Sequence, residues 1–230
     1  MKRLLKKLIP STESAVVLAL AFIWNLIAYT GARMIAHSWH HYDITTALDH
    51  MIPLVPWTVA IYFGCYLVWG INYCLCSGQD QPARDRFFCA DAIARVVCFL
   101  FYLLMPTTMQ RPEITEPGFW NDVMRLLYWI DLPDNLFPSI HCLISWFCWI
   151  GVRNRKEVPA VYRWFSFAAA LAVCVSTVTT RQHVLIDIAG GVLLAEISYY
   201  VAGFPKICKA YSRLVTGITN KIEEKLAKKA

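Results

Sequence analysis

Charge is scarce in this chain. Only 17% of its 230 residues are Asp, Glu, Lys or Arg, whereas 57% are hydrophobic and the mean hydropathy is +0.44. Soluble domains carry about 25% charged residues, so this composition argues against a soluble domain and fits an integral membrane protein. Cysteine is plentiful, but a pairing pattern is lacking. The nine cysteines are odd in number, and Cys65, Cys98, Cys148 and Cys174 lie inside apolar runs. Cys74 and Cys76 form one C-x-C with no second pair. That argues against a secreted disulfide framework and a cysteine zinc site, and leaves free thiols packed as small hydrophobes. Internal repeats and low-complexity segments are also missing, so the chain reads as one large domain.

What is present is a series of long apolar stretches. They predict an all-α polytopic helical bundle with six spans, at 15–31, 52–76, 87–105, 138–152, 161–178 and 184–202. The fourth is shorter than the ~20 residues that cross a bilayer. The first follows Lys2, Arg3, Lys6 and Lys7 as a signal peptide would, but its apolar run is long and no small-x-small cleavage site follows, so it reads as an anchor. The organisation expected is a basic segment, first helix and outer loop over 1–51, a core over 52–202, and a basic amphipathic tail over 203–230 lying on anionic lipid.

The few basic residues set the orientation. With the N-terminus inside, 18 of the 22 fall on the inner side, and only Arg33, Arg111, Arg125 and Arg181 do not. The positive-inside rule then places both termini in the cytoplasm of a plasma-membrane protein. The +6 net charge is a topology signal and implies no nucleic-acid partner. The outer side holds 32–51, 106–137 and a turn at 179–183. Within it, "FWNDVMRLLYWIDL" (119–132) has Phe119, Val123, Leu126, Leu127 and Ile130 at helical spacing, with Trp120, Tyr128 and Trp129 suited to the headgroup layer. A helix lying in the interface is expected there.

Three polar clusters share that outer depth although they are far apart in the chain: Arg111-Pro112, "PSIH" at 138–141, and "TTRQHVLID" at 179–187. Convergence of this kind is what a site requires. His183 and Asp187 are four apart, which puts them on one face of a helix. Asp187 can then fix the tautomer of His183 and leave the other imidazole nitrogen as a nucleophile. Arg181 offers a fork of donors matched to phosphate, and Arg111 is a second guanidinium. Pro138 suits a first helical position, with Ser139 and His141 in the first turn, where unpaired N–H groups favour an anion. His141 is then placed to protonate a leaving oxygen. Ionisable groups inside spans cost roughly 2.5–3.5 kcal/mol each at a helix centre on insertion scales, which favours function over chance. "HSWHH" (37–41) lacks a pattern-matched fourth ligand and reads as a solvated loop, so no metal is assigned. Glu196, Asn25 and Asn72 read as partners between helices.

At these residues the chain resembles the type-2 phosphatidic acid phosphatase superfamily, whose pattern is K-x6-R-P, P-S-G-H and S-R-x5-H-x3-D. Here Arg111-Pro112, "PSIH" and "STVTTRQHVLID" (176–187) stand for the three blocks. The resemblance implies a helical bundle of the vanadium-haloperoxidase-like phosphatase type, an outward-facing site, no cofactor and a lipid phosphate substrate. It implies a phosphohistidine on His183 oriented by Asp187, His141 as the acid, and Arg111, Ser139 and Arg181 around the phosphate. The family lysine falls at Leu104, the glycine of the second block is Ile140, and the arginine expected six before the nucleophile falls at Thr177, with Arg181 two before it. A basic residue that close to an H-x3-D pair also resembles inositol-phosphorylceramide and sphingomyelin synthases, which imply transfer to an alcohol acceptor. A membrane protein that only binds lipid phosphate is the non-catalytic alternative.

Overall fold

A computed structural model describes residues 10–228. The basic cluster of Lys2, Arg3, Lys6 and Lys7, with Lys229, lies outside the described residues. The architecture is helical throughout, apart from one two-residue parallel pairing. In chain order the elements are α1 (Thr12–Ala36), β1 (Tyr42–Asp43), α2 (Ala47–Met51), α3 (Pro56–Ser77), α4 (Gln81–Leu104), β2 (Thr107–Thr108), α5 (Phe119–Ile130), α6 (Ile140–Arg153), α7 (Ala160–Thr179), α8 (Leu185–Val201) and α9 (Pro205–Ala227). Four of them, α1, α3, α4 and α7, are long and apolar enough to cross a membrane, and α8 with α9 would make a fifth if that bent pair were one span. The two halves of that pair meet at 89°, and α6 has only 14 residues.

The polar minority explains where helices start and how they pack. Ser11 caps α1 by accepting the Ser14 N–H at 3.1 Å, and prolines open α3, α4 and α9, where a missing N–H costs nothing. α4 begins six residues before the expected 87 because Arg84 pairs both with Asp85 and with Glu13 of α1, so charge does not end the helix. Deeper in the bundle, Asp91 accepts from Arg95 and from the Tyr73 hydroxyl, and Arg95 reaches Asn25 of α1 at 2.5 Å. Glu196 of α8 takes a bidentate contact from Arg153 of α6 and a bond from the Trp146 indole. Asn72 bonds Tyr162 and Ser166 of α7. These are the helix-to-helix roles expected of Asn25, Asn72 and Glu196.

Around that skeleton lies an apolar core containing Val17, Phe87, Phe88, Tyr102, Leu143 and Phe147. Large side chains such as Leu67, Leu104 and Val161 are instead turned outward. An apolar exterior of this kind suits lipid as solvent. α5 lies over the end of α3. Met124 and Leu127 pack on Val59 and Tyr62, while Phe119, Leu126 and Ile130 remain exposed. The nine thiols are unbonded.

The feature that positions the site is the close approach of α6 and α8. A Cβ on Gly191 would fall 2.5 Å from the Ser139 carbonyl oxygen and 3.1 Å from the Leu143 nitrogen. Both are backbone atoms that cannot give way. Small residues at such crossings let membrane helices pack. Gly191→Ala is therefore expected to force the two helices apart, destabilising the solubilised protein by about 1–3 kcal/mol and lowering its activity. Thermal unfolding in detergent measures this, and an unchanged midpoint would contradict the packing described.

Candidate functional site

The three polar clusters meet at the N-terminal ends of α6 and α8. Ser139 is the N-cap of α6, its Oγ accepting the Cys142 N–H at 3.3 Å, so Pro138 sits before the helix and not at its first position. His141 is in the first turn. Its partner His183 lies ahead of α8 rather than on it, in a turn whose Gln182 and His183 N–H groups both donate to the Thr177 carbonyl. The Ser139 N–H donates to the Asp187 carbonyl at 3.1 Å, which ties the two helix starts together.

His183 Nδ1 is 3.1 Å from Asp187 Oδ2, an oxygen that also accepts the Val184 N–H at 3.0 Å. Asp187 is fully buried and His183 nearly so. An ionised carboxylate only accepts, so the proton on the imidazole sits at Nδ1 and the lone pair at Nε2. The His141 and His183 ring centroids are 5.9 Å apart, and both rings line one small cavity with Tyr29, Arg111, Asp131 and Gln182.

His141 has an acidic partner of its own through a tyrosine. The Tyr62 hydroxyl donates to Asp131 Oδ2 at 2.7 Å and lies 3.3 Å from His141 Nδ1. With its proton given to Asp131, Tyr62 is left to accept from Nδ1. His141 Nε2 faces the Tyr66 hydroxyl at 3.3 Å. Burial alone would push the Asp131 carboxyl up, but the His141 imidazole and the Tyr29 and Tyr62 hydroxyls hold it below the usual carboxylate value. Arg33 braces this corner by donating to Asp134 at 2.6 Å and to the Tyr29 hydroxyl at 3.0 Å.

The expected phosphate ligands divide. Arg111 lines the cavity and donates to the carbonyls of Arg181 (3.0 Å) and Asp131 (2.5 Å) and to Gln182 Oε1 (2.5 Å). Burial pulls its pKa below the ordinary value, with Asp131 opposing, which makes an added anion welcome. Arg181 points elsewhere. It adopts φ 55°, and its guanidinium donates to the carbonyls of Asp49 (2.6 Å) and Ile52 (2.5 Å). Asp49 in turn accepts the Leu185 N–H at 2.7 Å, capping α8. Burial would raise the Asp49 carboxyl, but the bonds it accepts hold it below its usual value. Arg181 and Asp49 therefore clamp the 49–52 segment onto the His183 turn. The Ser139 hydroxyl oxygen is engaged as the α6 cap. In the "HSWHH" loop, His37 and His41 bond only neighbouring carbonyls, and among the described residues no three His, Cys, Asp or Glu side chains gather as metal ligands.

Tyr29, Tyr62, Asp131 and Gln182 are the site residues that sequence reasoning missed. Tyr29 and Tyr62 lie inside apolar runs and look like core, while Asp131 follows α5 without any period to mark it. Gln182 adjoins His183, and that adjacency was the one available signal.

No family model matches the chain, and no solved structure matches it. An uncharacterized protein of Methanocaldococcus jannaschii is 27% identical over 146 residues, which cover 63% of this chain and 56% of that protein. The matched part thus spans little more than half the length of that relative.

Proposed function

We propose that the protein is a six-span membrane enzyme of the phosphatidic acid phosphatase type, removing phosphate from a lipid at the extracytoplasmic face. The observation that carries this reading is the pair of imidazoles, 5.9 Å apart on one cavity, each backed by a carboxylate, His183 directly and His141 through Tyr62. His183 Nε2 attacks phosphorus as the bond to the lipid oxygen breaks, and His141 delivers a proton to that oxygen. His141 then takes a proton from water, which attacks phosphorus and breaks the P–N bond. Free phosphate leaves and both imidazoles return to their starting states. Protein groups fill every role, so a catalytic ion has no assigned task.

A lipid substrate is supported by a second cavity of about 190 Å³ that shares Tyr29, Asp131, Ile140 and His141 with the first and continues between Phe63, Trp69, Leu127, Ile130 and Ile144. Its mainly apolar and aromatic lining suits a hydrocarbon chain. A headgroup transferase would use the same residues with an alcohol in place of water, and the basic residue two before His183 favours that variant. Purified protein with a panel of lipid phosphates, with and without acceptor alcohols, separates the two. Release of inorganic phosphate supports the phosphatase, a new phospholipid supports the transferase, and neither product would leave a lipid-phosphate-binding protein.

In this reading α6 and α8 complete six spans, α9 lies along the inner surface, and residue 116 is outside. Glu116→Cys, in a chain whose partly exposed Cys74 and Cys208 are serine, is expected to react with an impermeant thiol reagent added to intact cells. Labelling only after lysis would reverse the topology.

A further inference from the structure

We propose that Gln182 is a direct donor to the phosphoryl oxygens, with Arg111 holding it in place. The inference rests on the phosphoryl-transfer reading above. Gln182 is 2% exposed and lines the same cavity as both histidines. Its orientation is fixed by chemistry, because Arg111 Nη2 at 2.5 Å can only donate, so the atom it meets must be the amide oxygen. The amide nitrogen is therefore on the other branch, where it is buried with no partner. Leaving such a group unsatisfied costs about 1–3 kcal/mol, and a native protein retains it where something else supplies the acceptor.

The ligand chemistry follows from the neighbours. Next to Gln182 in the chain is the proposed nucleophile, His183, and the amide oxygen is held by a partly buried cation, Arg111. A group that offers acceptor oxygens, carries negative charge and has an electrophilic centre within reach of an imidazole is a tetrahedral phosphoryl group. The assignment also accounts for the two expected ligands that point away. Arg181 is spent on the Asp49 and Ile52 carbonyls, and Ser139, which caps α6 by accepting the Cys142 N–H, is not among the residues lining the cavity. Gln182, the residue between Arg181 and His183, supplies the donor in their stead. Donors fixed in advance toward developing oxyanion charge are worth roughly 10²–10³-fold in rate.

Two substitutions separate this role from mere support of Arg111. Gln182→Glu keeps an acceptor for Arg111 and strengthens that contact, but replaces the amide donor with negative charge. Gln182→Ala removes both. A donor to phosphate predicts that kcat/KM for the lipid phosphate falls about 10²-fold in Gln182→Ala and further in Gln182→Glu, with inhibition by orthovanadate weakened in the same order. A purely structural role predicts the reverse order, with Gln182→Glu near wild type, and that result overturns the proposal. Thermal shift covers loss of fold in the alanine variant: the folded glutamate variant must lose the stabilisation that vanadate gives the wild type, and full retention also overturns it. His183→Ala is the control. If that variant still turns over, the phosphoryl-transfer reading itself fails. If it is inactive while Gln182→Glu is unimpaired, only the role given to Gln182 falls.

Discussion

His183→Ala is expected to reduce turnover by roughly 10⁵–10⁶-fold, the scale on which removal of a nucleophile acts in enzymes with a covalent intermediate. The loss should be chemical and not conformational. The His183 turn is held by main-chain bonds from Gln182 and His183 to the Thr177 carbonyl, and by Arg181 bonds to the Asp49 and Ile52 carbonyls, none of which uses the imidazole. The alanine variant should therefore stay folded and still bind orthovanadate. Asp187→Asn should act through the same atom. An amide in place of the carboxylate can donate to His183 Nδ1, moving the ring proton to Nε2 and blocking the lone pair that attacks. A loss of roughly 10³–10⁴-fold is expected, as for other histidines whose orienting carboxylate is removed. Measured kcat near wild type in either variant would contradict the assignment.

The second large effect concerns His141 and is conditional on the substrate. A general acid contributes about 10²–10⁴-fold where the leaving oxygen needs a proton. In kcat/KM, which reports only the steps up to release of the leaving group, His141→Ala should cost that much on a lipid phosphate, whose alkoxide leaves poorly, and little on a nitrophenyl phosphate, whose phenolate leaves unaided. Tyr62→Phe should show the same contrast at smaller size. It removes the hydroxyl between His141 Nδ1 and Asp131 Oδ2 while leaving the aromatic ring that packs on Met124 and Leu127. Steady-state rates on both substrates give the answer. Equal losses on the two leaving groups would remove His141 from the role of acid and Tyr62 from its support.

How much of this was legible from sequence can be traced residue by residue. His183, Asp187, His141 and Arg111 stood out because each is an ionisable group at an apolar boundary, where composition alone makes it conspicuous. The all-helical bundle followed from runs of apolar residues long enough to cross a bilayer. What stayed hidden depended on direction. Arg181 reads as a phosphate ligand by position, yet a left-handed backbone at φ 55° turns its guanidinium to the 49–52 carbonyls. For α5 the helical period located an apolar stripe but not its neighbour, and it is Met124 and Leu127 that meet Val59 and Tyr62. Tyr29 and Asp131 come from segments 102 residues apart and meet by a hydrogen bond that no local pattern encodes. Tyr29, Arg33 and Asp49, from the segment ahead of the expected core, contribute to the site or brace it.

The central claim is that phosphate is carried on His183. The direct test is to mix purified protein with a labelled lipid phosphate, quench rapidly without acid, since phosphohistidine is acid-labile, and map the label by mass spectrometry. The account predicts label on the peptide containing His183, absent in His183→Ala. Label on Ser139 or His141, or turnover with no labelled residue at any quench time, would contradict it.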